Sequence, residues 1–163
     1  MTAPDPFFVQ LRTRVVQPTL GFLGLDSPAA LNLVLGTAAQ ESGGNYLAQW
    51  PCGPALGLWQ IEPATRQDVH ANFLDGHAEL HGKVLRLVAP YPDLDMQLAS
   101  NLAYAAAICR LIYFRVPEVL PAATDLAGLA GYWKRYFNTP AGGGTTSEFL
   151  FNFAKYIGDP ING

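Results

Sequence analysis

The chain is short of charge. Only 14% of its 163 residues are Asp, Glu, Lys or Arg, against roughly a quarter in an ordinary domain, while 50% are hydrophobic. That balance excludes a disordered or heavily solvated chain and leaves enough apolar surface for one domain, residues 1–163, with a proper core. Basic excess is also missing, since the net charge is −3 and the pI is near 5.5. Nucleic acid is therefore not an expected partner, because binding phosphates needs a basic face. Cysteine is nearly absent. Cys52 and Cys109 form no CxxC pair, which excludes a metal framework or a disulfide scaffold and reads as two free thiols, Cys109 within a helix core. The first eight residues, Met1 through Phe8, hold neither a basic n-region nor a long apolar run, so no secretory signal is expected. The most apolar stretch, residues 98–116, contains Asn101, Arg110 and Arg115 and reads as a buried helix, with no membrane span expected.

What remains is mostly helical period. Phe7, Phe8, Leu11 and Val15 share a face of a helix expected to end before Pro18. Ser27-Pro28 starts the next, with a hydroxyl cap and a proline at the first helical position; Leu31, Val34, Leu35 and Ala38 mark its stripe, and Gly43-Gly44 stops it. Residues 43–63 are rich in Gly and Pro without helical period, which predicts a small irregular or short β lobe. Pro63 opens a helix through Val69 and Phe73, and a polar segment with all three histidines follows. Leu94, Leu98, Leu102, Ala105, Cys109, Ile112 and Tyr113 outline one long helix ended by Pro117; Leu126, Leu129, Ala130 and Trp133 outline another. Thr145 and Glu148 form a capping box for a last helix with Phe149, Phe153 and Ile157 on one face. The expected fold is mainly α.

Glu41 falls seven residues after Val34 and three after Ala38, on the apolar side of its helix and in the last turn. A carboxylate there meets both desolvation and the negative end of the helix dipole, so its pKa should rise. An acid that keeps its proton near neutral pH suits cleavage of a glycosidic bond, where the leaving oxygen must be protonated. Downstream, Gly57 permits a close backbone approach, Gln60 offers a donor and an acceptor to a sugar, and Trp59 is either a stacking surface or core. Trp50, Tyr132 and Trp133 are further candidate stacking platforms, each equally explicable as core or ordinary surface.

Glu41-Ser42, followed by Gly57-Leu58-Trp59-Gln60-Ile61 and then Pro63-Ala64-Thr65, resembles the Glu-Ser and Gly-Leu-Met-Gln-Ile-x-Pro-x-Thr motifs of the soluble lytic transglycosylase and goose-type lysozyme families. The likeness is good over residues 31–65 and loose elsewhere, and Trp59 departs from the usual methionine. It implies a lysozyme-like fold with the lobe beside a cleft, and peptidoglycan glycan strands as the partner. Glu41 would be the general acid and then base in cleavage of the MurNAc-GlcNAc bond, with Ser42 either holding its orientation or bonding to nearby backbone. Tyr104 would be a neighbour of substrate or of Glu41, or else core. The family's later Tyr-Asn pair has its nearest match in Tyr136-Phe137-Asn138, where Phe137 stands directly before the asparagine. Either Tyr136 reaches Glu41 through a shifted register or that contact is absent.

Many glycosidases use two carboxyl groups. None occurs between Ser42 and Ile61, and Glu62 reads as a helix-start cap. That absence favours the transglycosylase outcome, in which the substrate's N-acetyl group assists and a 1,6-anhydro product forms. A muramidase hydrolase and a non-catalytic virion or wall-binding protein are the alternatives. His70, His77 and His81 lie near Asp75 and Glu79 but not in HExxH order, so no metal and no cofactor are expected. A compact domain without a signal suits a phage-encoded enzyme, carried in the virion beside other virion proteins or released at lysis.

Overall fold

A computed structural model describes residues 3–139 and 141–162. Helices run in the order α1 (Pro6–Gln10), α2 (Gln17–Leu23), α3 (Pro28–Glu41), α4 (Pro63–Asn72), α5 (Ala78–Leu87), α6 (Leu94–Ser100), α7 (Leu102–Phe114), α8 (Leu126–Trp133) and α9 (Thr146–Tyr156). The mainly α expectation holds. The segment between α3 and α4 is irregular, with isolated bridges from Leu56 to Ala48 and Ile61. Among the described residues no helix is long and apolar enough to cross a membrane.

Helix α3 organises the core. Ser27 caps it by accepting from the Ala30 N–H at 3.1 Å, and every residue from Ala30 to Ala39 is buried. A helix apolar on all sides must be enclosed, and α7, α8, α9 and the turn at Leu11–Val16 enclose this one. Its polar side chains are satisfied inside. Asn32 bonds the carbonyls of Ala123 and Ile161 and accepts from the Ile161 N–H, all within 3.1 Å. The Thr37 hydroxyl reaches the Leu33 carbonyl and the Tyr113 hydroxyl, both at 2.7 Å. Both cysteines are free, Cys109 buried and Cys52 exposed.

Three element boundaries differ from the sequence reading. The first helix does not stop before Pro18: a π turn, Leu11–Val16, joins α1 to α2, with the Gln17 N–H bonded to the Arg12 carbonyl. Pro18 then falls in the first turn of α2, where a missing N–H is tolerated. The expected long helix is two, because Asn101 leaves helical geometry and caps α7 by accepting from the Tyr104 N–H at 3.1 Å. Its amide also donates to the Leu87 carbonyl at 2.8 Å, so the break anchors α5 as well. Finally, the histidine-bearing polar segment contains α5, whose Val84 is buried and whose remaining length is amphipathic surface.

Gly36 of α3 has the Phe149 ring of α9 directly over it, and a Cβ there would collide with that ring. Gly36→Ala should lower stability by about 1–3 kcal/mol through overpacking, despite alanine's better helix propensity. Chemical denaturation of the two proteins checks this.

Candidate functional site

Helix α3 ends at Glu41, and its final turn is tied to the lobe. The Ser42 hydroxyl donates to the Leu58 carbonyl at 2.8 Å and accepts from the Gly44 N–H at 3.1 Å. Trp59 is fully buried with its indole N–H on the Val34 carbonyl at 2.9 Å. Gly57 takes φ +76° against the Leu98 carbonyl, where no side chain would fit. Together these dock residues 57–61 against α3 and the end of α6.

A cleft of about 520 Å³ opens there, lined by Glu41, Gln60, Glu62 and the aromatics Tyr46 and Trp50, with Phe137, Asn138 and Gly142 contributed by the C-terminal part of the chain. A second cavity of about 360 Å³ shares Gln60, Glu62, Phe137 and Asn138 with it. Trp50 is 77% exposed, an aromatic face kept in solvent at the cleft. Gln60 holds φ +47°, uncommon for a residue with a side chain, and closes its turn through its own amide to the Gly57 carbonyl at 2.8 Å.

The Glu41 carboxyl is partly buried, and that burial raises its pKa from 4.5 to about 7. One interaction opposes the rise, the Trp133 indole N–H donating to Oε1 at 2.9 Å. Trp133 is itself fully buried, packed against a tilted Phe149 ring 5.4 Å away and covered by Gly144. The donor to the acid is thus a rigid tryptophan at the end of α8. Directly after it a π turn, Lys134–Asn138, redirects the chain. Lys134 bonds Asn138 Oδ1 and the carbonyls of Gly142 and Gly144, each at 2.7 Å, which pins the glycine loop beside the cleft.

Of the residues singled out by sequence, Glu41, Gln60 and Asn138 line the cleft. Ser42 does not: it is buried and spends its hydroxyl on backbone, so its part is to clamp the helix end. Tyr104 is fully buried and its hydroxyl pairs with His70 Nε2 at 3.0 Å, which makes it core. Tyr136 lines the second cavity and donates to Glu118, leaving the bond to Glu41 to Trp133. Tyr132 and Trp133 are enclosed and offer no stacking face. Sequence reasoning missed Trp133 as the acid's partner, and no local pattern marks it. It also took Glu62 for a cap. Glu62 stands at the N-cap position of α4, but its side chain makes no capping bond. His70 and His81 pack ring to ring at 5.5 Å, while His77 turns to the Phe73 carbonyl and His81 lies 3.6 Å from Asp75. Among the described residues no three His, Cys, Asp or Glu side chains gather as a metal group would require.

Comparison with protein-family models, with curated proteins and with solved structures finds no match to this chain.

Because its pKa is raised, Glu41 binds its proton more tightly in the folded chain than in the unfolded one. Its contribution to stability is complete below about 4.5 and is lost as pH rises through about 7. Glu41→Gln should therefore be more stable than the wild type at pH 8, by up to about 3 kcal/mol, with the gap closing towards pH 4.5. Thermal melts across that range read it directly. Trp133→Phe keeps most of the packing and removes the donor, so Glu41 should titrate about one unit higher than in the wild type, as followed by carboxyl NMR.

Proposed function

We propose that this chain cleaves the β-1,4 MurNAc-GlcNAc bonds of peptidoglycan glycan strands, with Glu41 as general acid and a lysozyme-like arrangement of lobe and helices about the cleft. The observation that carries the reading is a partly buried carboxyl, bonded by the Trp133 indole and lining a cleft of about 520 Å³, whose burial raises its pKa to about 7. Such an acid is protonated before the reaction and ready to give its proton to the glycosidic oxygen as the bond to the anomeric carbon breaks. Gln60 and Asn138 line the cleft with amides that keep polar atoms beyond those bonded to Gly57 and Lys134, and Trp50 supplies an aromatic face for a sugar ring. The glutamate-serine and Gly57-Leu58-Trp59-Gln60-Ile61 motifs support the same substrate, and the structure gives the serine and the glycine concrete duties in building the site.

The step after bond cleavage separates two enzymes. In a lytic transglycosylase the anionic Glu41 takes the proton of the sugar's 6-hydroxyl, which closes the 1,6-anhydro ring. In a muramidase, water takes that place. The lack of a carboxyl group between Ser42 and Ile61 favours the first; the presence of Glu62 in the cleft favours the second. Either enzyme would act on the wall from a virion or after lysis, and contacts with other virion proteins belong to the first setting.

Purified peptidoglycan incubated with wild type should release soluble muropeptides, detected by chromatography with mass spectrometry, and Glu41→Gln should release at least a hundredfold less. Wall binding by wild type without release would instead make the protein a non-catalytic wall-binding or virion structural component.

A further inference from the structure

His70 lies in the last turn of α4, half-buried, with Nε2 3.0 Å from the Tyr104 hydroxyl of α7. Its ring packs edge-on against that of His81 on α5, the centroids 5.5 Å apart and the planes at 73°. His81 Nδ1 in turn lies 3.6 Å from Asp75, in the 3-10 turn Leu74–Gly76 between α4 and α5. Arg66, one turn before His70 on α4, is buried and held by Asp95 of α6 at 2.6 Å. None of these side chains lines the Glu41 cleft or its neighbour. Helix α5 is lightly held at this junction. Val84 is its one buried residue, Leu80 and Leu87 are partly covered, and Asn101 bonds its C-terminal end through the Leu87 carbonyl. The histidine pair joins its first half to α4.

The junction requires a neutral His70. Tyr104 is fully buried, and among the described residues His70 is the hydrogen-bond partner of its hydroxyl. The hydroxyl can donate only while Nε2 carries no proton. A proton there would make the histidine the donor and strand the tyrosine's hydrogen in the core. The surrounding charges act the same way. Burial lowers the His70 pKa from 6.5, Arg66 and then His81 lower it further, and Asp75 acts in the other direction. Asp75 is exposed and already faces His81. The other charged groups of these elements are engaged elsewhere: Asp95 with Arg66, Asp68 with Arg115, and Glu79 with Lys83. His77 turns to the Phe73 carbonyl. Because its pKa is lowered, His70 contributes fully to the closed junction above about 6.5, and that contribution is lost as pH falls towards its own lower value.

We propose that His70 and His81 form an acid-sensitive latch, which holds α5 against α4 and α7 while both rings are neutral and releases it when they take up protons. Acid places positive charge on two rings in contact, with the Arg66 guanidinium behind them and one exposed carboxylate as counterion. Opening lets both imidazolium rings reach water and gives the Tyr104 hydroxyl a water to bond. No covalent bond changes; the event is proton uptake and local release. Helix α4 runs from this junction to the cleft, where Thr65 lines the second cavity, so the opening reaches that side of the domain. The latch is independent of what the cleft binds.

Hydrogen exchange of the whole chain, read by mass spectrometry and corrected for the intrinsic pH dependence of amide exchange, tests the latch between about pH 7.5 and about pH 5, either side of the ordinary histidine value. Wild type should lose protection in α5 by about tenfold or more over that range. The near-ultraviolet circular dichroism of the buried Trp59 and Trp133 should stay unchanged meanwhile. His70→Gln keeps an acceptor for Tyr104 without a titrating group, so its α5 should remain protected at the acid end. His81→Gln removes one of the two cations and should cut the loss to about threefold or less, which decides the question if His70→Gln does not fold. Constant protection of α5 in wild type, or the wild-type loss in either folded variant, would overturn the latch. Loss of the tryptophan signal in step with α5 would also overturn it, because the whole domain would then be unfolding.

Discussion

The site depends on a conflict held in place at the end of α3. A helix buried on every side delivers its last residue, Glu41, to the rim of the core, where desolvation works against the charged form. The single bond from Trp133 moderates that effect without cancelling it. A neutral donor of this kind can serve both protonation states of the acid, since a carboxylic acid keeps one acceptor oxygen and a carboxylate has two. Because Trp133 is wedged between Phe149 and the glycine loop, the direction of that bond is set by core packing. Fold stability and acid strength are thereby coupled in the same few residues.

Three features keep the cleft open beside this acid. Ser42 and Trp59 fasten residues 57–61 to α3, Gly57 brings them against α6, and Lys134 holds the 142–144 loop in place from the far end of the chain. Each uses backbone carbonyls as anchors, so the geometry rests on main chain and not on flexible surface side chains. A π turn directly after Trp133 completes the arrangement by sending Phe137 and Asn138 to the cleft while Tyr136 turns to Glu118. π turns inside helices recur at functional sites, and this one has an evident structural effect.

Much of this was legible in the sequence where local chemistry decides the outcome. The Ser27-Pro28 start, the Gly43-Gly44 stop, the Thr145 capping box and the irregular lobe all follow from residues acting on their immediate neighbours. Glu41 was legible because periodicity and helix-end position both bear on its charge. The failures have separate causes. Pro18 inside a continuing helix and the register of Tyr136 depend on π turns, which leave no compositional mark. Asn101 as a cap was hidden because the apolar period continues across it. Trp133 as the donor to Glu41 is a contact between residues 92 apart in sequence, and only packing can establish it. Glu62 looked like a cap because position suggested it, and the absence of the bond is visible only in three dimensions.

The central claim is that burial, tempered by one indole, makes Glu41 an acid at neutral pH. Carboxyl NMR titration of the wild-type protein with labelled glutamate, assigned by comparison with Glu41→Gln, tests it without any substrate. A Glu41 midpoint near 7 is the predicted result. A midpoint at the ordinary glutamate value of about 4.5 would contradict the account, because the acid would then be ionised wherever it was needed.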